Sequence, residues 1–151
     1  MADMIDSNQT MLPVNEIVAI AAQNTESPFP VQNVIASIKA EVESPGSLPM
    51  RYGNTLFLCH KSKNRVGTFR ALNADTARNF LENGMRWVVA AYDAGFDFMV
   101  TEFYDSSLLS IFKAISRRPP RPNMGYQARK MKDGKMQVIL QLGPKRPGDK
   151  V

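Results

Sequence analysis

The sequence predicts a single α/β domain: a central mixed sheet with two N-terminal helices, a long helix, a shorter helix and a closing β-hairpin. Three observations carry this expectation. Residues 66 to 116 alternate short apolar runs of strand length with segments of helical period, which favours a parallel crossover within one sheet. The C-terminal part holds two strand-like runs about Asp133-Gly134, a dipeptide that accepts the positive φ angles a two-residue hairpin turn needs. A chain of 151 residues, 44% apolar and 22% charged, fills one core and is neither disordered nor fibrous in composition.

Taken in order, residues 1 to 13 are polar, slightly acidic and without period, and read as a flexible arm. In "PVNEIVAIAAQN" the residues Val14, Ile17, Val18 and Ala21 share one side of a short helix, with Pro13 tolerated at its start. "VQNVIASIKAEVES" repeats the pattern through Val31, Val34, Ile35, Ile38 and Val42, and Pro45-Gly46 stop it. "LPMRY" is a weak strand candidate because it contains a proline, whereas "NTLFLC" and "RVGTFRAL", joined by the polar "HKSKNR", read as a hairpin. Asp75 or Thr76 can cap a long helix that runs to about Ala94, with Phe80, Leu81, Val88, Ala91 and Tyr92 as its packed side and Gly95 after it. "DFMVTEFY" is apolar on both faces, Phe98 and Val100 on one, Met99 and Phe103 on the other, which predicts a central strand covered on both sides. "DSSLLSIFKAIS" places Leu108, Ile111, Phe112 and Ile115 at helical spacing behind an Asp105 or Ser106 cap. The domain is thus expected over residues 14 to 143, with 144 to 151 a basic tail.

Several chemistries are excluded early. One cysteine, Cys59, rules out an internal disulfide, and a single histidine, His60, rules out the usual zinc clusters, so no metal site and a reducing, cytoplasmic setting are expected. The two are adjacent on a predicted strand and point to opposite faces, which argues against a nucleophile and base pair. No apolar stretch has the length of a membrane span, so no membrane partner is expected. No Walker-type loop or GxSxG elbow is present, and Ser106, Ser107 and Ser110 stand in a helix-start context where capping accounts for at least one.

The order of helix, helix, antiparallel strands, long helix, strand, shorter helix and hairpin over residues 14 to 142 resembles the GNAT acetyltransferase fold. It is also similar to small GNAT-like proteins that short-tailed phages encode among their virion and head-morphogenesis genes. The first likeness implies an acyl-CoA cofactor, its pyrophosphate held by a glycine-rich turn before the long helix, and a proton donor, commonly a tyrosine, in the following shorter helix. Here the matching turn is "RALNADTARNF", which offers Arg70, Asn73, Ala74 and Thr76 but no glycine, and places the acid Asp75 at a helix N-terminus, where it stabilises the helix and repels phosphate. The shorter helix has Phe112 where that tyrosine would stand, and a phenyl ring donates no proton. Tyr104 and Tyr126 are the available stand-ins, and Glu102 at the end of the central strand is a candidate general base.

A second signal is electrostatic. The formal charge is +5, and between residues 113 and 135 Lys113, Arg117, Arg118, Arg121, Arg129, Lys130, Lys132 and Lys135 face only one acid, Asp133. Brought together, they suit phosphates or an acidic protein surface; left apart, they are a solvated face, and "RRPPRP" is then a stiff extended connection. The expectation is therefore a non-catalytic GNAT-like structural or interaction protein, virion-associated, without cofactor, binding virion or host proteins or nucleic acid through its basic face. The alternative is a divergent N-acetyltransferase that uses acetyl-CoA.

Overall fold

The computed structural model describes residues 11–24, 29–104, 107–118 and 124–144. Helices α1 (Val14–Asn24) and α2 (Val31–Glu43) lead into strands β1 (Ser47–Tyr52), β2 (Thr55–Lys61) and β3 (Val66–Asn73). Helix α3 (Ala77–Asp93), strand β4 (Phe98–Phe103), helix α4 (Ser107–Arg117) and the hairpin strands β5 (Gly125–Lys130) and β6 (Met136–Gln141) follow. The sheet has six strands in the order β1-β2-β3-β4-β6-β5, antiparallel throughout except for the parallel pair β3 and β4. The weak candidate "LPMRY" is an edge strand, where the missing N–H of Pro49 costs least.

Two cores lie on opposite faces of this sheet. Alternation along β2 sends Leu56 and Leu58 to one side, where with Leu72 they meet Ile17, Val18, Ala21 and Ala22 of α1 and Val34 and Ile38 of α2. Phe57 and Cys59 point to the other side, against Phe80, Trp87, Val88 and Ala91 of α3 and Phe112 of α4. The buried stripe of α3 also includes Asn83 and Gly84, which the apolar pattern alone does not pick out, and Trp87, which shares the face of Phe80 and Ala91 by spacing but is missing from the expected packed side. Trp87 stacks on Phe57 at 4.7 Å between centroids and meets Phe69 at 4.5 Å. The cap of α3 resolves to Thr76, whose side chain accepts a hydrogen bond from the Asn79 N–H.

The expectation that β4 is covered on both sides needs correction. Met99, Thr101 and Phe103 are buried, but Phe98 is 39% exposed and Ile139, on β6 opposite Val100, is 37% exposed. The reason is the placement of α1 and α2, which pack over β1, β2 and β3 and, among the described residues, leave the same face of β4, β6 and β5 without a covering helix. At the N-terminal side the chain already meets the domain at Leu12, whose N–H donates to Asn54 Oδ1 at 2.9 Å and whose carbonyl accepts from Arg51.

Candidate functional site

The parallel pairing of β3 with β4 is short. It joins Val66, Gly67 and Thr68 to Phe98, Met99 and Val100, and no ladder continues between Phe69–Asn73 and Thr101–Phe103. Each strand stays paired along its length with its other neighbour, β2 or β6, so the sheet divides into two halves that part toward one end. Backbone groups on the facing sides of the parted strands therefore have no partner within the sheet, a state that calls for another hydrogen-bonding group. A cleft of about 660 Å³ opens there, with Arg70, Asn73, Thr101, Glu102, Tyr104 and Lys135 among its polar lining. Asn33, Val34 and Ser37 of α2 wall one side; Phe80 of α3 and Ser110 and Ile111 of α4 wall the other.

Glu102 belongs to the open face of β4, and its Oε2 accepts from Gln137 Nε2 at 3.3 Å. Tyr104 follows at the strand end, with the Lys135 ammonium 5.4 Å from its ring centroid. Arg70 reaches back to α2, where Nη1 lies 3.0 Å from Glu41 Oε2; His60 Nε2 stands 3.7 Å from the other oxygen of the same carboxylate. Arg70 thus ties α2 to the sheet and is also a lining residue of the cleft.

The turn between β3 and α3 is built without glycine in its own sequence, and side chains do the positioning. Asp75 Oδ2 accepts from the Asn54 N–H at 2.8 Å and from Asn83 Nδ2 at 2.7 Å. Asn83 also donates to Thr55 Oγ1, which in turn donates to Asn73 Oδ1, and that oxygen accepts the Asp75 N–H. The glycine the turn needs stands across from it: a Cβ on Gly53 would meet Asp75 Oδ2 at 2.9 Å. The Asp75 carboxylate is therefore committed to donors on β1-β2 and α3. The N–H groups of Ala74 and Asp75 are also engaged, with Asn54 O and Asn73 Oδ1 respectively. What the turn can offer an anion is the first turn of α3, whose leading amides have no intrahelical acceptor and whose Ala77 lines the cleft.

Of the candidate cofactor residues, Arg70 and Asn73 are in the cleft lining; Ala74 and Thr76 are not, Thr76 being exposed and engaged as the helix cap. Glu102 and Tyr104 are both in it. Phe112 is not: its ring is buried among Phe69, Phe103 and Tyr126, and α4 turns Ser110 and Ile111 to the cleft instead. Tyr126 lies beside Phe112 on the α4 side of the sheet. The basic residues separate. Lys113 and Arg117 are exposed on α4 and Arg118 just after it, and α4 reaches Tyr126 near the start of β5 through Phe112; Arg129, Lys130 and Lys132 are exposed at the far end of β5 and in the turn after it. Arg121 lies outside the described residues. Sequence reading missed Thr101, Ser110 and Lys135 as cleft residues, because only the parting of β3 from β4 brings them to it. Cys59 is buried, and burial pushes its thiol up to about 11 although the Trp87 indole N–H, 3.4 Å from Sγ, opposes the shift. Among the described residues no helix is long and apolar enough to cross a membrane, and no group of three or more His, Cys, Asp or Glu is placed to hold a metal ion.

No family model and no curated protein sequence matches this chain. Solved structures do match in shape. The ribosomal-protein-S18-alanine N-acetyltransferase of Escherichia coli superposes with a TM-score of 0.55 at 9% identity, covering 94% of this chain and 97% of its own. A Salmonella typhimurium protein described as an acetyltransferase, solved with its cofactor acetyl-CoA, gives a TM-score of 0.52 at 13% identity over 90% of each chain. At these identities the likeness is one of fold: the chain has a GNAT-like fold, with four helices and a six-stranded mixed sheet among the described residues.

Proposed function

We propose that this GNAT-like chain is a divergent acyl-CoA-dependent N-acyltransferase whose active site is the cleft between β3 and β4. The observation that carries the reading is the parting of those strands after Thr68 and Val100, which leaves backbone hydrogen-bonding groups along both sides of a 660 Å³ cleft. That volume is in the usual range for small-molecule sites, and an extended, amide-containing chain such as the pantetheine arm of CoA has the groups to satisfy such edges. The residues present fit the cofactor at this arm and at the first turn of α3; the engaged amides of Ala74 and Asp75 make the fit at the preceding turn poorer. When bound, an acyl thioester supplies an activated acyl group. In this reading Glu102, in the cleft lining, takes the proton from the incoming amine, and the hydroxyl of Tyr104, whose ring faces the Lys135 ammonium, returns one to the leaving thiolate.

One observation favours a second reading, a non-catalytic interaction protein of the kind expected from the sequence. Phe112 supplies no hydroxyl and its ring is built into the core rather than the cleft. Thermal melting with and without excess acetyl-CoA, followed by assay of free CoA release with amine acceptors, separates the two. A ligand that binds only the folded state stabilises it by about 2.7 kcal/mol at a hundredfold excess over its dissociation constant. A raised midpoint with CoA release supports the transferase; a raised midpoint without release supports a binding protein; an unmoved midpoint overturns the acyl-CoA site.

A further inference from the structure

The closing hairpin concentrates its charge at one end. Arg129, Lys130, Lys132 and Lys135 are gathered at the turn between β5 and β6, and the acid among them, Asp133, accepts the Lys135 N–H through Oδ1 at 3.0 Å. Register sets this turn level with the mouth of the cleft, since Met136 pairs with both Phe103 and Lys130. Lys135 itself lines the cleft. On the sheet face that α1 and α2 leave open, one row across the strands reads Glu102, Gln137, Arg129, with Arg129 Nε donating to Gln137 Oε1 at 2.8 Å. Below that row lies an uncharged strip of Val100, Ile139 and Phe98, flanked by glutamines.

An apolar strip that ends in cations beside a reactive cleft suits a chain carrying both apolar side chains and carboxylates. We infer that this face receives an acidic polypeptide, its apolar side chains on Val100, Ile139 and Phe98 and its carboxylates against Arg129, Lys132 and Lys135. Its use as acceptor, with an amine leading to Glu102, rests on the acyltransferase reading; its binding does not. A nucleic acid fits less well. Among the described strand residues of this face Phe98 is the one ring, and it stands at the strand end opposite the cations, roughly 17 Å away at 3.4 Å per residue; the exposed Phe29, before α2, is a cleft residue outside the strip. Tyr104 is met by Lys135, and Tyr126 packs on the other face.

The test is fluorescence anisotropy with the full chain and three labelled probes of equal length: a peptide alternating Leu with Asp and Glu, one alternating Leu with Lys and Arg, and a single-stranded DNA. The acidic peptide is expected to bind most tightly, to weaken as salt rises, and to lose at least about tenfold in affinity in the Arg129→Glu, Lys132→Glu, Lys135→Glu variant. Should that variant melt early, Lys132→Gln with Lys135→Gln gives the same comparison with a smaller loss. Equal binding of the two peptides, tighter binding of the DNA, or an affinity unmoved by the substitutions overturns the inference. Melting with acetyl-CoA is run alongside. Peptide binding without an acetyl-CoA shift removes the acceptor role and keeps the docking face, whereas the shift without peptide binding sinks the face and leaves the transferase.

Discussion

Asn83 is a polar residue in the buried stripe of α3, 5% exposed, and its amide nitrogen serves both Thr55 and Asp75. Replacing it with alanine leaves a carboxylate oxygen and a hydroxyl short of a donor in a half-buried turn. The expected cost is about 1–3 kcal/mol, read from urea unfolding, and Asp75→Asn should cost less because it removes the charge along with the demand. Cys59 gives a pH prediction. Its thiol is neutral in the fold up to about 11, against 9.0 when free, because burial disfavours the thiolate. Below pH 9 both states keep the proton and the contribution to stability is whole. Between pH 9 and 11 the unfolded chain sheds its proton while the native one holds it, so stability falls, by on the order of 2 kcal/mol across the window. Wild type and Cys59→Ala should therefore draw closer in urea midpoint as pH rises from 9; a constant gap would contradict this origin.

The elements themselves were largely legible. Helical period in "VNEIVAIAAQN" and "VQNVIASIKAEVE" follows from spacing and local backbone preference, which neighbouring residues settle among themselves, whereas the expected two-residue turn at Asp133-Gly134 is a longer connection over residues 131 to 135, with a positive φ at Gly134 and not at Asp133. The cap of α3 was narrowed to Asp75 or Thr76, and the structure gives it to Thr76 because the Asp75 carboxylate is drawn away by donors from β1-β2 and from α3. Thr76→Ala should cost about 1 kcal/mol in thermal or urea unfolding. Those donors, Asn54 and Asn83, lie 21 and 8 residues from Asp75, which is why no local reading of "RALNADTARNF" shows how the turn is held. The open face of β4 was hidden for a related reason: alternation tells which residues share a face, but the helices that cover it are chosen by topology. Ser110, Lys135 and Phe112 show the same limit at the cleft, where one step of helical phase on α4 decides between core and lining.

At the scale of the whole molecule, two half-sheets share a single short seam. Gly67 pairs with Met99 in that seam, and a Cβ there would meet the Phe96 ring at 2.7 Å, His60 O at 2.8 Å and Met99 Sδ at 2.8 Å. Gly67→Ala must therefore displace backbone or core atoms where the halves join. A loss of about 1–3 kcal/mol is expected, with unfolding by circular dichroism as the measure. The cleft depends on the same seam, because the strands can part at one end only while they are held at the other. If acetyl-CoA binds, this variant should also bind it more weakly than its lowered stability alone explains.

The chain has one tryptophan, and its indole rests on Phe57 and Phe69 with its N–H toward the sulfur of Cys59. Sulfur close to an excited indole drains its light, so the folded protein carries its own optical gauge: dim and blue in emission while the core is closed, brighter and redder once it comes apart. Unfolding, ligand-induced stiffening and damage at the seam can all be followed from within, without a dye.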